Sequence, residues 1–293
     1  QPNNTKYIWP KDITFANFEN IAIKDISSSE CKTNKGEYIN CLSEVYLTNK
    51  NTGVKSLILT TDNLVTDSRL PEFSNGSLYV VKRTGNAKYP SDNWTDELWQ
   101  YKENQPGKLI HSYKGLTFSA SPDGQYICIV TEQNVLVIKN SGQIAKQYPR
   151  NQFYVSSYEN EGHDIVAWWN EDLWINSNFG PTVTGLIKIK LADFSVSKYD
   201  FTGLKIGTEF NLNAESEKIV YSNYPAIFDQ ETDEYYQRSK LPVKLSVYDL
   251  NTKTSKVIST SVFKRFNPTW VDSKTIKYNS PTSDQSITYS DSR

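Results

Sequence analysis

Strand-length runs in which apolar and polar residues alternate, each closed by a turn rich in Gly, Asn, Asp or Pro, recur along this chain and limit its fold more than any other feature. The clearest instance is Phe118–Val130, "FSASPDGQYICIV", where Asp123-Gly124 separates two such runs. Alignment on it recovers one series: a strand a, a turn, an apolar strand b, a variable loop, and a c–d hairpin. Five c–d hairpins stand out as "EVYLTNKNTGVKSLIL", "ELWQYKENQPGKLIHS", "VLVIKNSGQIAKQY", "LIKIKLADFSVSKYD" and "LSVYDLNTKTSKVIS". Strand b recurs six times, as "NIAIKDI", "SLYVVKR", "YICIV", "DIVAWW", "KIVYSN" and "TIKYNS".

The unequal count has a reading. After the sixth b strand only "SITYS" remains for a strand c, while the N-terminal Lys6–Trp9 belongs to no hairpin. The expected fold is therefore all-β: a six-bladed β-propeller in which Lys6–Trp9 supplies strand d of the last blade and closes the ring. Tyr7 and Trp9 are expected on one face of that blade and Ile8 on the other. The expected blades are 11–65, 66–114, 115–150, 151–203, 204–263 and 264–293 plus 6–9, in one domain spanning 1–293.

Composition agrees with strands: 19 Tyr, 12 Phe and 7 Trp suit pleated, half-buried surfaces. Lys and Arg total 32 against 33 Asp and Glu, so no global field recruits phosphate backbones, and a nucleic-acid role is disfavoured. No apolar run approaches the roughly 20 residues that span a bilayer, so no transmembrane segment is expected. The chain starts at Gln1, contains no Met and shows no signal-peptide regions, which predicts a processed, exported protein, extracellular, periplasmic or associated with the cell envelope. Cys31 and Cys41 bracket the polar "CKTNKGEYINC" and are expected to form a disulfide in an oxidising compartment. Cys128, inside an apolar strand, reads as a small buried hydrophobe.

"SPDGQY", Ser121–Tyr126, with the strands that follow it, resembles the repeat of TolB-like propellers and of propeller domains in dipeptidyl-peptidase-type enzymes. The equivalent turns "SNGSLY", "NEGHDI", "NAESEK" and "VDSKTI" keep the turn chemistry but not the words. The resemblance implies the architecture along the chain. TolB-like proteins also carry an N-terminal α/β domain, and no helical segment precedes the first blade here. The peptidase relatives carry a hydrolase domain with its nucleophile on a G-x-S-x-G turn; no such pentapeptide occurs, which excludes that route to peptidase chemistry.

No motif calls for a cofactor or a metal. His111 and His163 lie in separate blades without Cys, His or acidic partners at metal-ligand spacing, and read as surface or interface residues. "DQETDEYY" places Asp229, Glu231 and Asp233 like the opening ligands of a calcium loop, but Glu234 stands where the turn needs Gly and Lys240 where the closing Glu belongs, so it reads as a solvated acidic loop. Asp96 with Glu97, and Glu171 with Asp172, are the carboxylate pairs a glycosidase would require to face each other across a bond; as sequence neighbours they read as loop solubility.

Because strands alternate in direction, all b–c loops emerge on one face. Long b–c insertions are expected at Cys31–Cys41, Thr84–Asp96, Asn170–Gly185 and Asn223–Leu241, while the c–d turns opposite stay short. The insertions carry Tyr89, Trp94, Trp174, Phe179, Tyr224, Phe228, Tyr235 and Tyr236, a mixture suited to recognition. The leading expectation is a non-enzymatic, exported propeller that binds a protein or peptide partner through this face. The alternative is a carbohydrate-binding protein or propeller enzyme with its site at the channel mouth, marked by convergent carboxylates and His.

Overall fold

The computed structural model describes residues 6–7, 18–25, 42–49, 51–62, 64, 71–86, 93–102, 105–155, 162–179, 182–226, 230–282 and 286–290. Their regular structure is almost entirely antiparallel strand, in six sheets that follow one another along the chain. The first sheet joins β1 (Lys6–Tyr7), β2 (Phe18–Asp25), β3 (Leu42–Asn49) and β4 (Lys55–Asp62) in the order β1-β4-β3-β2. In the second and third sheets strand order follows sequence: β5 (Glu72–Ser74), β6 (Ser77–Asn86), β7 (Asn93–Lys102) and β8 (Lys108–Tyr113), then β9 (Thr117–Ala120), β10 (Tyr126–Val130), β11 (Asn134–Lys139) and β12 (Ile144–Pro149). These sheets form one compact unit, Gln1–Arg150.

A second compact unit, Asn151–Arg293, holds the other three. They are β13 (Gly162–Trp169), β14 (Asp172–Phe179), β15 (Thr182–Lys190) and β16 (Val196–Asp200); β17 (Glu209–Asn213), β18 (Lys218–Ser222), β19 (Pro242–Asp249) and β20 (Thr254–Val262); and β21 (Thr269–Trp270), β22 (Thr275–Asn279) and β23 (Ser286–Ser290). A helix, α1 (Gln230–Ser239), interrupts the connection from β18 to β19.

Period two explains how sheets stack within each unit. On β6, Tyr79 and Val81 join Ile127, Ile129, Leu136 and Ile138 of the third sheet in one core, whereas Leu78 and Val80 join Val45, Leu47 and Leu59 of the first sheet in another. On β18, Ile219 and Tyr221 pack with Trp174 and Leu186 of the fourth sheet, and Val220 packs with Ile276 and Tyr278 of the sixth. A strand buried on both faces needs apolar residues at successive positions, which is why "YICIV" reads as a continuous run. First strands of consecutive sheets lie side by side, β5 with β9 and β17 with β21.

The turns between third and fourth strands of the first, fourth and fifth sheets share one solution. The N–H of Gly53, Phe194 or Lys253 donates to the carbonyl four residues earlier, on Asn49, Lys190 and Asp249, at 2.8, 2.8 and 2.9 Å. Each of the three has a left-handed φ, 68°, 58° and 57°. Only the first uses the glycine that this conformation favours. In "SPDG", the Asp123 carboxylate accepts from the Ser121 hydroxyl at 2.6 Å and the Gln125 N–H at 3.0 Å. Asn75 of the preceding sheet donates to the Asp123 carbonyl, and a Cβ on Gly124 would lie 2.6 Å from its side chain. Sequence marks that turn because the neighbouring sheet occupies the space.

Four expectations are corrected. Lys6 and Tyr7 pair with Thr60 and Leu59 of β4, so the N-terminal strand extends the first sheet and is not a strand of the sixth; Ile8 and Trp9 lie outside the described residues. "DIVAWW" belongs to a first strand, β13, because Asn170, with φ 52°, lets the chain reverse within Asn170-Glu171. The supposed insertion Asn170–Gly185 is therefore chiefly β14 and the start of β15. Likewise β6 and β7 remain paired out to Asn86 and Asn93, which absorbs much of Thr84–Asp96 into a hairpin. His163 is buried, with Nε2 3.2 Å from the Phe153 carbonyl and its ring stacked 5.8 Å from Tyr154. Cys31 and Cys41 lie outside the described residues; Cys128 is a free, buried thiol whose burial pushes its pKa up, with Glu72 adding to the shift.

Candidate functional site

The insertion Asn223–Leu241 is where the structure departs most from a plain strand connection. The segment read as an acidic loop is largely helical, with ion and amide pairs at helical spacing: Arg238 to Glu234 at 2.6 Å, and Gln237 to Asp233 at 2.9 Å. Glu231 and Asp233 occupy its first turn and Arg238 its last, matching the helix dipole. Asp229 lies outside the described residues. Lys240 follows with φ 49°, the left-handed position that ends many helices.

Aromatic stacking fixes this helix to the sheet. Tyr236 stacks on Phe263 with centroids 5.7 Å apart, Phe263 stacks on Tyr224 at 5.3 Å, and the Arg265 guanidinium lies 4.8 Å from the Tyr224 ring. Tyr224 is itself held, because its carbonyl accepts the Thr208 N–H at 2.9 Å. A Cβ on Gly207 would lie 1.9 Å from that carbonyl oxygen, so only glycine allows the approach. The segment carrying Phe263 and Arg265 is tied back by Glu209, whose carboxylate accepts the N–H groups of Phe266 at 3.3 Å and Asn267 at 2.7 Å and the Ser222 hydroxyl.

The opposite side of the helix is open. Glu231, Glu234, Tyr235, Arg238 and Ser239 line a hollow of about 550 Å³, and Tyr235 is 67% exposed although its ring meets Tyr236 edge-on. One tyrosine of the pair anchors the helix and the other is displayed.

In the first unit, Trp94 lies on β7, half-buried, with the Arg83 guanidinium 4.1 Å and the Lys114 ammonium 5.7 Å from its ring. Arg83 forks onto the buried Asp96 at 2.8 and 3.4 Å. Glu97 accepts instead from Trp99 Nε1 at 2.9 Å, because successive strand residues point to opposite faces. Asp96 and Glu97 thus do not converge as an acid and base would. Asp172 pairs with the buried Lys188 at 2.8 Å while Glu171 is exposed. Lys188 also meets Glu217 at 2.6 Å and lies over the Trp174 ring at 5.1 Å. Burial lowers the Lys188 pKa, but the two carboxylates outweigh it and the net shift is upward.

Of the eight aromatics expected on one face, Tyr224, Tyr235 and Tyr236 belong to the α1 assembly. Trp174 is fully buried on β14, where its Nε1 has no hydrogen-bond partner among the described residues, and Phe179 ends the same strand, 52% exposed. Tyr89 and Phe228 lie outside the described residues. Sequence reasoning missed Phe263 and Arg265, which sit where β20 ends; no local pattern links them to a helix more than twenty residues earlier. Among the described residues, no group of three or more His, Cys, Asp or Glu side chains is placed to hold a metal ion.

No protein-family model matches the sequence, and no curated protein matches it. Among solved structures, the chain is similar to a prolyl endopeptidase, at 13% identity and a TM-score of 0.49 over 84% of this chain and 35% of that one. It is also similar to the β-propeller domain of the trilobed protease from Pyrococcus furiosus, at 12% identity and a TM-score of 0.48 over 85% and 72% of the two chains. An oligogalacturonate lyase in complex with manganese aligns at 11% identity and a TM-score of 0.42 over 85% and 84%. The chain spans about a third of the prolyl endopeptidase's length.

Proposed function

We propose that the six sheets are the blades of one β-propeller, that the protein is exported, and that it binds a protein or peptide partner through the face bearing α1. The observation that carries this reading is the displayed helix: Tyr236, Phe263 and Tyr224 fix its position, while Tyr235 stands exposed beside the 550 Å³ hollow. A rigidly mounted, exposed aromatic flanked by charged groups has the character of an interaction anchor, since little entropy is lost when it is covered. The resemblance of Ser121–Tyr126 to TolB-like repeats supports the architecture and leaves the partner open.

The test places a photo-crosslinking amino acid at Tyr235 in the full chain and, as a control, at Thr252 in the β19–β20 turn, followed by crosslinking in the native envelope fraction. A discrete adduct from position 235 and none from 252 is the expected result. Equal capture at both sites, or none at 235, overturns the reading. Non-reducing mass mapping of Cys31 and Cys41 tests export, for which an intact bridge is expected.

A further inference from the structure

The sixth sheet is the only one of the six without a fourth strand among the described residues, and its third strand is unlike its counterparts. In the other sheets of both units the third strand is well buried: Val135, Val137 and Ile138 on β11, Leu186, Ile187 and Ile189 on β15, Val243 and Leu245 on β19. On β23, Ser286, Thr288 and Ser290 are exposed and Ile287 and Tyr289 only half-buried. The facing strand of the fifth sheet is uncovered to match: Ile258, which packs on the same core as Ile287 and Tyr289, is only half-buried. In the first unit, where the neighbouring sheet has its fourth strand, Ile110 of the corresponding β8 is only 8% exposed.

Backbone hydrogen bonds of β22 fix which backbone groups the open edge presents. The Thr275 carbonyl accepts from the Val271 N–H at 2.8 Å, and the Asn279 N–H donates to the Phe266 carbonyl at 2.7 Å, so Thr275 and Asn279 direct their backbones away from β23. Alternation then turns Ile276 and Tyr278 toward β23, where they pair with Tyr289 and Ile287. Ser286, Thr288 and Ser290 are left with N–H and C=O groups pointing outward. The uncovered face beside that edge carries a cation: Lys256 Nζ lies 2.8 Å from the Tyr289 hydroxyl and 5.4 Å from its ring centroid, with no carboxylate partner among the described residues.

We infer that the edge of β23 accepts an extended segment of a partner protein as a fourth strand, and that this segment carries alternate apolar residues with an Asp or Glu beside Tyr289. Backbone pairing at Ser286, Thr288 and Ser290 supplies the attachment. The apolar side chains cover Ile287 and Ile258, and the carboxylate meets Lys256. None of these residues lines the hollow beside α1, so either reading can fail without the other.

The probe is a seven-residue peptide alternating Thr and Val with a central Glu, titrated into the full chain and followed by amide hydrogen exchange and fluorescence anisotropy. Expected is at least tenfold slower exchange at 286–290, with at least tenfold weaker binding when the central Glu is replaced by Lys. Lys256→Glu should reverse that preference. Thr288→Pro, which removes an outward N–H and leaves the ladder to β22 intact, should abolish binding, whereas Thr288→Val should not. Unchanged melting of the Thr288→Pro protein separates edge blocking from misfolding; if that variant unfolds, N-methylation of alternate peptide residues, which blocks the same bonds from the other side, decides the matter. Binding that survives both blocks, or protection elsewhere on the chain, overturns the inference. So does protection of 286–290 in the free protein, whether independent of concentration, as when the chain's own N-terminal segment fills the edge, or rising with it, as when a second copy does.

Discussion

Phe263→Ala should release helix α1 before it unfolds the rest of the protein. Phe263 is the middle ring of the pile, 5.3 Å from Tyr224 and 5.7 Å from Tyr236. Each aromatic contact contributes about 0.5–1.5 kcal/mol beyond area burial, and burying part of the ring adds about 1 kcal/mol. The expected loss is about 2–4 kcal/mol, of which roughly 0.5–1.5 kcal/mol belongs to the Tyr236 contact and is felt by the helix. That share corresponds to about twofold to tenfold faster amide exchange across 231–239. Phe263→Leu, which keeps apolar volume without a ring, should retain the burial and lose the stacking. Urea unfolding followed by far-UV dichroism measures the global loss, and residue-resolved exchange measures the local one. Unchanged exchange across the helix alongside a lowered unfolding midpoint would show that the stack does not hold α1, and the argument for a rigidly displayed Tyr235 would fall with it.

Lys240→Gly should stabilise the protein by about 0.5–1 kcal/mol, because Lys240 has φ 49° and glycine adopts that conformation without a Cβ penalty; a lowered melting temperature would contradict this. Glu72 has its pKa raised by burial, partly offset by bonds from the Ala120 N–H and the Ser119 side chain. Its folded value thus exceeds its unfolded one, and the stability it contributes, present below the ordinary value of 4.5, is lost as pH rises through the folded value. Glu72→Gln should remove that loss, seen as a smaller decline in stability between acid and neutral pH. Lys188→Met should cost about 2 kcal/mol by leaving Asp172 and Glu217 without their shared cation, discounted because both carboxylates are partly exposed; a change below about 0.5 kcal/mol would mean water replaces it adequately. Cys128, buried and with its thiol pKa raised, should resist alkylation in the native protein and react fully in denaturant.

Period-two alternation and turn residues determined the all-strand character of this chain, since those signals are local: "YICIV" could become only a strand buried on both faces, and "SPDG" only a turn. The same signals were silent about identity within a sheet. "DIVAWW" reads equally as a first or second strand, and the choice rested on whether Asn170-Glu171 reverses the chain, which an asparagine with positive φ decides without glycine. Lys6 and Tyr7 could pair with any free edge; pairing with Thr60 and Leu59 depends on which edge lies within reach, and no residue pattern records that. The helix was obscured for the same reason. Its ten residues are polar apart from two tyrosines, and what holds it is Phe263, brought beside it by the hairpin of β19 and β20 and the carboxylate of Glu209. Sequence alone thus determined which segments are strands and which are turns, because strand and turn preferences act over a few residues. Only the tertiary structure decided which segments meet, because stacking, edge pairing and the burial of Trp174 arise between residues that sequence keeps far apart.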